Sequence, residues 1–315
     1  MPLIRVNADA DRLQPFPGEP PLGERLAAAL GTLPAAAPVT VLIHGFRFSP
    51  KVPELTPHRH ILALDPDTGG WKAVSWPRAL GFSGASDAEG LCIAFGWESD
   101  GTIWGAYDEA ARAGAALAGL IAGIRAHRPG RAVDLVAHSL GARVALAAMT
   151  GLAAGAVGHA VLMAPAEFAP GARAALDSPA GRRARILNVT SRENDPYDLM
   201  LEALVGPVRG GGAALGRGLE DGPVSWLDLQ IDHPETMTAL ARMGHRIAPP
   251  TRRVCHWSPY VRPGMMGLYR ALIRGELPFE MLRAGLPQAQ TPRWSRLLAP
   301  PRLTLPLPFA GNAPS

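Results

Sequence analysis

The sequence predicts an α/β fold: a mostly parallel sheet with helices on both faces. Three observations predict it. Short runs of consecutive apolar residues recur along the chain, as strands buried on both faces require. Segments with helical apolar spacing separate those runs. One run, at residues 132–137, passes straight into such a segment through His138-Ser139-Leu140-Gly141.

The elements follow in order. Residues 2–8 are weakly strand-like, and 23–30 read as a short helix. Val39–Ile43 (V-T-V-L-I) is a β-branched apolar run that stops at His44-Gly45. Residues 61–64 end at Asp65-Pro66 and form a second candidate strand. Residues 65–90 are rich in Gly, Pro, Ser and Trp, and read as a long surface excursion. Leu91–Trp97 is another buried strand. The longest helical pattern runs over 102–127, with Ala110, Ala113, Leu117, Leu120, Ile121 and Ile124 on one face. Pro129-Gly130 terminates it. A strand over 132–137 precedes a helix over 141–152, and strands are expected at 159–163 and 186–190. The Gly-rich stretch 205–223 reads as a flexible loop. A strand over 226–231 is followed by a helix over 234–243, an apolar piece at 254–257 and a helix over 263–274. From Pro287 the chain is Pro-rich without period, an extended tail.

Composition narrows the class. The 315 residues are 47% hydrophobic and 18% charged, enough to bury a core without staples and unlike a disordered chain. Net charge is +4, but Lys51 and Lys72 are the only lysines. The remaining basic residues are scattered arginines, the densest group being Arg182, Arg183, Arg185 and Arg192, so nucleic acid is not an expected partner. Two cysteines, Cys92 and Cys255, make neither a metal site nor a disulfide framework. His58 and His60 stand two apart with no acidic partner, so neither metal nor cofactor is called for. No secretory signal is visible at the N-terminus, and a cytoplasmic location is expected. Residues 144–166 carry no formal charge and could span a bilayer by length alone. Their glycines, Pro165 and abundant Ala favour a buried helix, a turn and a strand instead.

The chemistry concentrates at Val133-Asp134-Leu135-Val136-Ala137-His138-Ser139-Leu140-Gly141-Ala142-Arg143. A serine stands between a strand and a helix, with small residues two before and two after. A sharp turn there would lift the Ser139 hydroxyl off the strand end. It would also aim the Leu140 amide at a developing oxyanion. The plainer reading is that Ser139 only caps a helix.

This segment resembles the nucleophile elbow of the α/β-hydrolase superfamily. Val39–Ile43 followed by His44-Gly45-Phe46 resembles that superfamily's oxyanion loop, where the amide of Phe46 or Arg47 would be the second donor. Phe95-Gly96-Trp97-Glu98-Ser99, followed by a long helix, is similar to a bacterial group of α/β hydrolases of unknown function carrying F-x-W-P-S, with Glu98 in place of the proline. The resemblance implies a Ser-acid-His chain order. Asp195, after the strand at 186–190, is the expected acid, with Asp198 and Glu193 as fallbacks. His256 is the expected base, with His233 the runner-up. His44, Gly45 and His138 are assigned to the substrate site, although strand alternation would point the His138 ring away from Ser139. Cys255, beside His256, reads as a small buried apolar residue.

The expected organisation is one α/β-hydrolase domain over 1–286, with its core at about 39–274 and a tail at 287–315. The expected activity is hydrolysis of an ester-like acyl substrate, a small molecule, through an acyl-enzyme. Thioesterase, amidase and acyltransferase chemistry share the same site. A catalytically silent fold used as a binding module, or a membrane-associated protein anchored through 144–166, are the rivals.

Overall fold

The computed structural model describes residues 3–67, 69–287 and 289–298. The chain opens with strands β1 (Leu3–Asp9) and β2 (Arg12–Pro15) and helix α1 (Leu22–Thr32). Then come β3 (Val39–Ile43), a short helix α2 (Trp76–Ala79), β4 (Leu91–Trp97) and the long α3 (Ile103–His127). The central part is β5 (Val133–His138), α4 (Leu140–Thr150), β6 (Val157–Met163), α5 (Ala169–Asp177) and β7 (Arg185–Thr190). After β7 follow α6 (Asp195–Leu204), α7 (Gly206–Arg209), β8 (Trp226–Gln230) and α8 (Pro234–Arg242). The last helices are α9 (Ser258–Val261), α10 (Met265–Ile273) and α11 (Phe279–Gly285).

The eight strands form one sheet in the order β2-β1-β4-β3-β5-β6-β7-β8. Only β1 and β2 pair antiparallel; every other neighbour is parallel. Alternate residues of each central strand face opposite sides. On β5, Leu135 and Ala137 join one core with residues of α1, α3, α4 and α5, such as Leu30, Leu117, Leu146 and Ala172. Val136 faces the other core, with Leu42, Trp76, Tyr260, Leu268 and Leu272. Both layers are thus filled by apolar side chains, and the helices cover the sheet on both faces. α3 and α4 approach closely because Gly114 has no side chain: a Cβ there would lie 2.6 Å from Ala147 Cβ.

Several expectations change. Residues 61–64 are not a strand. Ile61 and Leu62 are fully buried, but Leu62 N–H donates to Pro57 O and Ala63 N–H to His60 O, so the apolar run folds as turns. The stretch 65–90 is not all surface: Trp76, Leu80 and Phe82 are fully buried. Helix α5 lies where no element is expected, between the strands at 159–163 and 186–190. The Gly-rich stretch 205–223 is packed, since Leu215 N–H donates to Glu167 O and Asn188 donates to Leu215 O. Residues 144–166 form most of α4, a turn and β6, and among the described residues no helix is long and apolar enough to cross a membrane. The tail's first part lies along the body: Thr291 bonds Gln230, and Trp294 N–H donates to Asp195 Oδ2 at 2.7 Å. Residues 299–315 of the tail lie outside the described residues.

Candidate active site

Ser139 sits at the C-terminal end of β5, immediately before α4, with φ 55° and ψ −125°. This backbone region disfavours a residue with a Cβ and costs of order 1–3 kcal/mol. It persists because both sides of the turn are tied down. Ser139 N–H donates to Met163 O, and Ser139 O accepts from Ala142 and Ala166 N–H, all at 3.0 Å. Close approach explains the small neighbours. A Cβ on Gly141 would lie 2.5 Å from His44 O and 2.6 Å from Ile43 O. The Ser139 hydroxyl makes no hydrogen bond to a described residue, and its side chain is not turned back to cap α4.

The loop after β3 lies against this turn. A Cβ on Gly45 would lie 2.7 Å from Ser139 Cβ and 2.9 Å from His138 O. His44 is buried and stacks on Trp97. Its Nε2 accepts from Trp97 N–H at 3.0 Å, so Nδ1 carries the proton and donates to Gly45 O at 2.9 Å. Ser99 Oγ also reaches Gly45 O, at 2.8 Å. With Gly45 C=O held by these groups, peptide planarity directs the Phe46 N–H the opposite way. Arg47 N–H is taken by Ser99 O, which leaves Phe46 as the free amide of the pair. Leu140, at the first position of α4, has no intrahelical acceptor for its own N–H. The F-G-W-E-S segment therefore pins this loop: Trp97 and Ser99 hold His44 and Gly45, while Glu98 accepts from Ser49 Oγ.

His44, Gly45 and His138, assigned to the substrate site from the sequence, are all buried. Burial lowers the His44 pKa to about 3, and both of its ring nitrogens bond inside the protein. Gly45 packs on the elbow. His138 is also buried, its pKa lowered to about 4 by burial, and its Nε2–H donates to His256 O at 3.0 Å. Its ring does not point away from the elbow region: it lies 4.6 Å from the His256 ring. Alternation holds for His138, whose ring meets Trp76 and Tyr260 on the Val136 face, but it does not extend to Ser139, where the chain turns.

The His256 imidazole is thus placed beside the residue preceding Ser139. Tyr197 stacks on it at 4.7 Å, and Trp257 meets it edge-on at 5.9 Å. Trp71 packs edge-on against Trp257, and Lys72 and Arg252 lie over these indole rings. Burial, then the neighbouring His138 and Lys72, push the His256 pKa well below 6.5. Its Nδ1 is 2.6 Å from Asn194 Oδ1. The other end of that amide, Asn194 Nδ2, donates to Asp198 Oδ1 at 2.9 Å. The orientation is self-consistent, since an amide NH₂ facing the carboxylate leaves its oxygen to accept Nδ1–H. Nε2 is then the unprotonated nitrogen.

The structure does not bring Asp195 to the imidazole. Asp195 is fully buried and pairs with Arg192 at 3.2 Å and with Trp294 N–H. Glu193 is also elsewhere: it pairs with Arg262 and accepts from Ser258 Oγ at 2.7 Å. The cause is the 3₁₀ turn at Arg192–Asn194, which runs into α6 and sends successive side chains in different directions. Asp198, one helical turn on, reaches the site through Asn194. His233 caps α8, its Nδ1 accepting from Thr236 N–H at 3.3 Å. Asn194 escaped the sequence reading because no carboxylate marked it.

Two depressions lie away from this constellation. One of about 230 Å³ is lined by Trp226, Asp228 and Arg283. Another of about 560 Å³, lined by Arg182, Arg183 and Arg185, lies where β7 begins, at the opposite end of the sheet from Ser139.

No curated protein matches the chain. The Alpha/beta hydrolase family matches residues 40–311, which takes in β3, the turn at Ser139, the Asn194 turn and His256. With the parallel sheet, the strand–Ser–helix turn and that match agreeing, the chain belongs to the alpha/beta hydrolase family.

Proposed function

We propose that this hydrolase cleaves a small ester-like acyl substrate through an acyl-enzyme formed on Ser139. The supporting observation is the pairing of an elbow serine at φ 55° with a fixed, unengaged Phe46 amide on the loop packed against it. His256 Nε2 would take the Ser139 proton as Oγ attacks the carbonyl carbon. The amides of Phe46 and Leu140 would hold the oxyanion. The protonated imidazole then gives its proton to the leaving oxygen, and the C–O bond to the alcohol breaks. Water, activated by the same nitrogen, releases the acid. Asn194 takes the orienting role expected of Asp195, holding Nδ1–H as an amide does in Cys-His-Asn proteases. Tyr197 and Trp257 pack on the imidazole and Trp71 on Trp257, with Lys72 and Arg252 over the two indoles.

One observation favours a second reading. An amide cannot offset the charge of an imidazolium as a carboxylate can, and this would suit a weakly catalytic fold that binds its ligand. Pre-steady-state hydrolysis of p-nitrophenyl esters separates the two. A burst of one nitrophenol per chain, absent in Ser139→Ala, supports the acyl-enzyme. Turnover that is equal in both proteins, or undetectable across acyl lengths, favours the binding module.

A further inference from the structure

We propose that Asp198 is a positioning residue for His256, acting through the Asn194 side chain, so that an ionised Asp198 locks the imidazole in the tautomer that can act as a base. The proposal rests on the assignment of His256 as the base. The geometry is a three-membered chain: Asp198 Oδ1, Asn194 amide, His256 Nδ1, with links of 2.9 and 2.6 Å.

An asparagine is ambiguous as an orienting group, because its two ends differ only in being donor or acceptor. With the oxygen toward Nδ1, the histidine keeps Nδ1–H and a basic Nε2. With the NH₂ toward Nδ1, the proton moves to Nε2 and no base remains. In serine proteases the wrong tautomer costs about 10⁴ in kcat. Something must therefore choose the amide's orientation. A carboxylate can only accept, so ionised Asp198 admits only the NH₂ end of Asn194. A protonated Asp198 can also donate, and both orientations become available.

The surroundings make Asp198 suited to this control. It is 2% exposed, and its Oδ2 accepts no hydrogen bond from a described residue. Gly216 packs directly against it and has no side chain to displace it: a Cβ there would lie 1.9 Å from Oδ2. Its charged neighbours are Asp195 and Glu202 on α6, Arg192 on the preceding turn, Arg217 beside Gly216, and Arg293 from the C-terminal segment. Burial first, and then the Asp195 charge, raise its pKa from 3.8 to about 8; Arg293 and Arg192 oppose that rise. The carboxylate thus ionises in the weakly alkaline range, where the tautomer lock forms.

The test uses the full chain and three variants. In the wild type, kcat should rise with a midpoint near pH 8. Asp198→Asn should lower kcat at pH 8.5 at least tenfold with KM unchanged, and remove that step. The exchange Asn194→Asp/Asp198→Asn puts the carboxylate at Nδ1 and an amide behind it, and should return kcat to within threefold of wild type. Nitrogen-15 NMR of labelled histidine reads the same device without turnover: His256 should carry its proton on Nδ1 at pH 8.5 in the wild type and populate both tautomers in Asp198→Asn. An unchanged kcat, pH profile and tautomer in Asp198→Asn would overturn the proposal. So would an exchange variant no better than Asp198→Asn. If no ester is turned over at all, the hydrolase reading fails, and the NMR result alone decides the role of Asp198.

Discussion

Gly45→Ala tests the oxyanion assignment at one carbon atom. The added Cβ would lie 2.7 Å from Ser139 Cβ, 2.9 Å from His138 O and 3.3 Å from His138 Nδ1. Carbon atoms rest at about 3.5–4.0 Å, so the loop must withdraw by roughly 1 Å. The elbow cannot yield instead, because Ser139 is tied on both sides to β6 and its loop. Withdrawal carries the Phe46 amide off the oxyanion position. A misplacement of about 1 Å costs roughly 10²-fold, and loss of one oxyanion donor roughly 10²–10³ in kcat. The expected result is therefore a fall in kcat of about a hundredfold with KM little changed. Overpacking should also lower stability by about 1–3 kcal/mol. Steady-state ester hydrolysis and a thermal melt read both numbers. A kcat within threefold of wild type, with the melting temperature lowered as expected, would refute the role given to the Phe46 amide.

Other outcomes follow from the same geometry. Ser99→Ala removes the hydroxyl that reaches Gly45 O and Phe48 O, and should lower kcat about tenfold through the freed loop; an unchanged kcat would mean His44 alone suffices. Ser139→Gly should abolish acylation yet raise stability by about 1 kcal/mol, since glycine adopts this backbone readily, and a lower melting temperature would contradict the strain. His44, His58 and His138 have folded pKa values lowered by burial to about 3, 3 and 4. The unfolded chain therefore binds more protons below about pH 6.5, and the stability present above that pH is lost as pH falls. At about 1.4 kcal/mol per group per pH unit, the three contribute a slope of about 4 kcal/mol per unit near pH 5, offset by about 1.4 from Asp198, whose raised pKa acts in the opposite sense. A melting temperature constant from pH 7 to pH 4.5 would contradict their burial as neutral rings.

What the sequence made legible depended on burial and period. β3 and β4 coincide with their predicted runs because both are buried along their whole length, and such strands read as unbroken apolar runs. The apolar residues 61–64 misled for the same reason: burial alone does not distinguish a strand from packed turns. At the site, the elbow was visible because strand, small residues and helix must all agree for the turn to form. The orienting group was not. Glu193, Asn194 and Asp195 are consecutive, and the turn that carries them distributes one to Arg262, one to His256 and one to Arg192. Which of them meets the imidazole depends on side-chain directions set by the turn, and composition carries no trace of those. The His44 ring shows the same limit. Its partner Trp97, and the Ser99 that holds Gly45 beside it, are some fifty residues away in the chain, and only folding makes that histidine a support for the loop.

The central claim is that Ser139 is a nucleophile activated by His256. Labelling with a fluorophosphonate, followed by intact mass and peptide mapping, tests it most directly. The proposed mechanism predicts one phosphonyl group per chain on Ser139 in the wild type, labelling slowed at least a hundredfold in His256→Ala, and none in Ser139→Ala. Equal labelling of wild type and Ser139→Ala, or a label mapped to another residue, would contradict it.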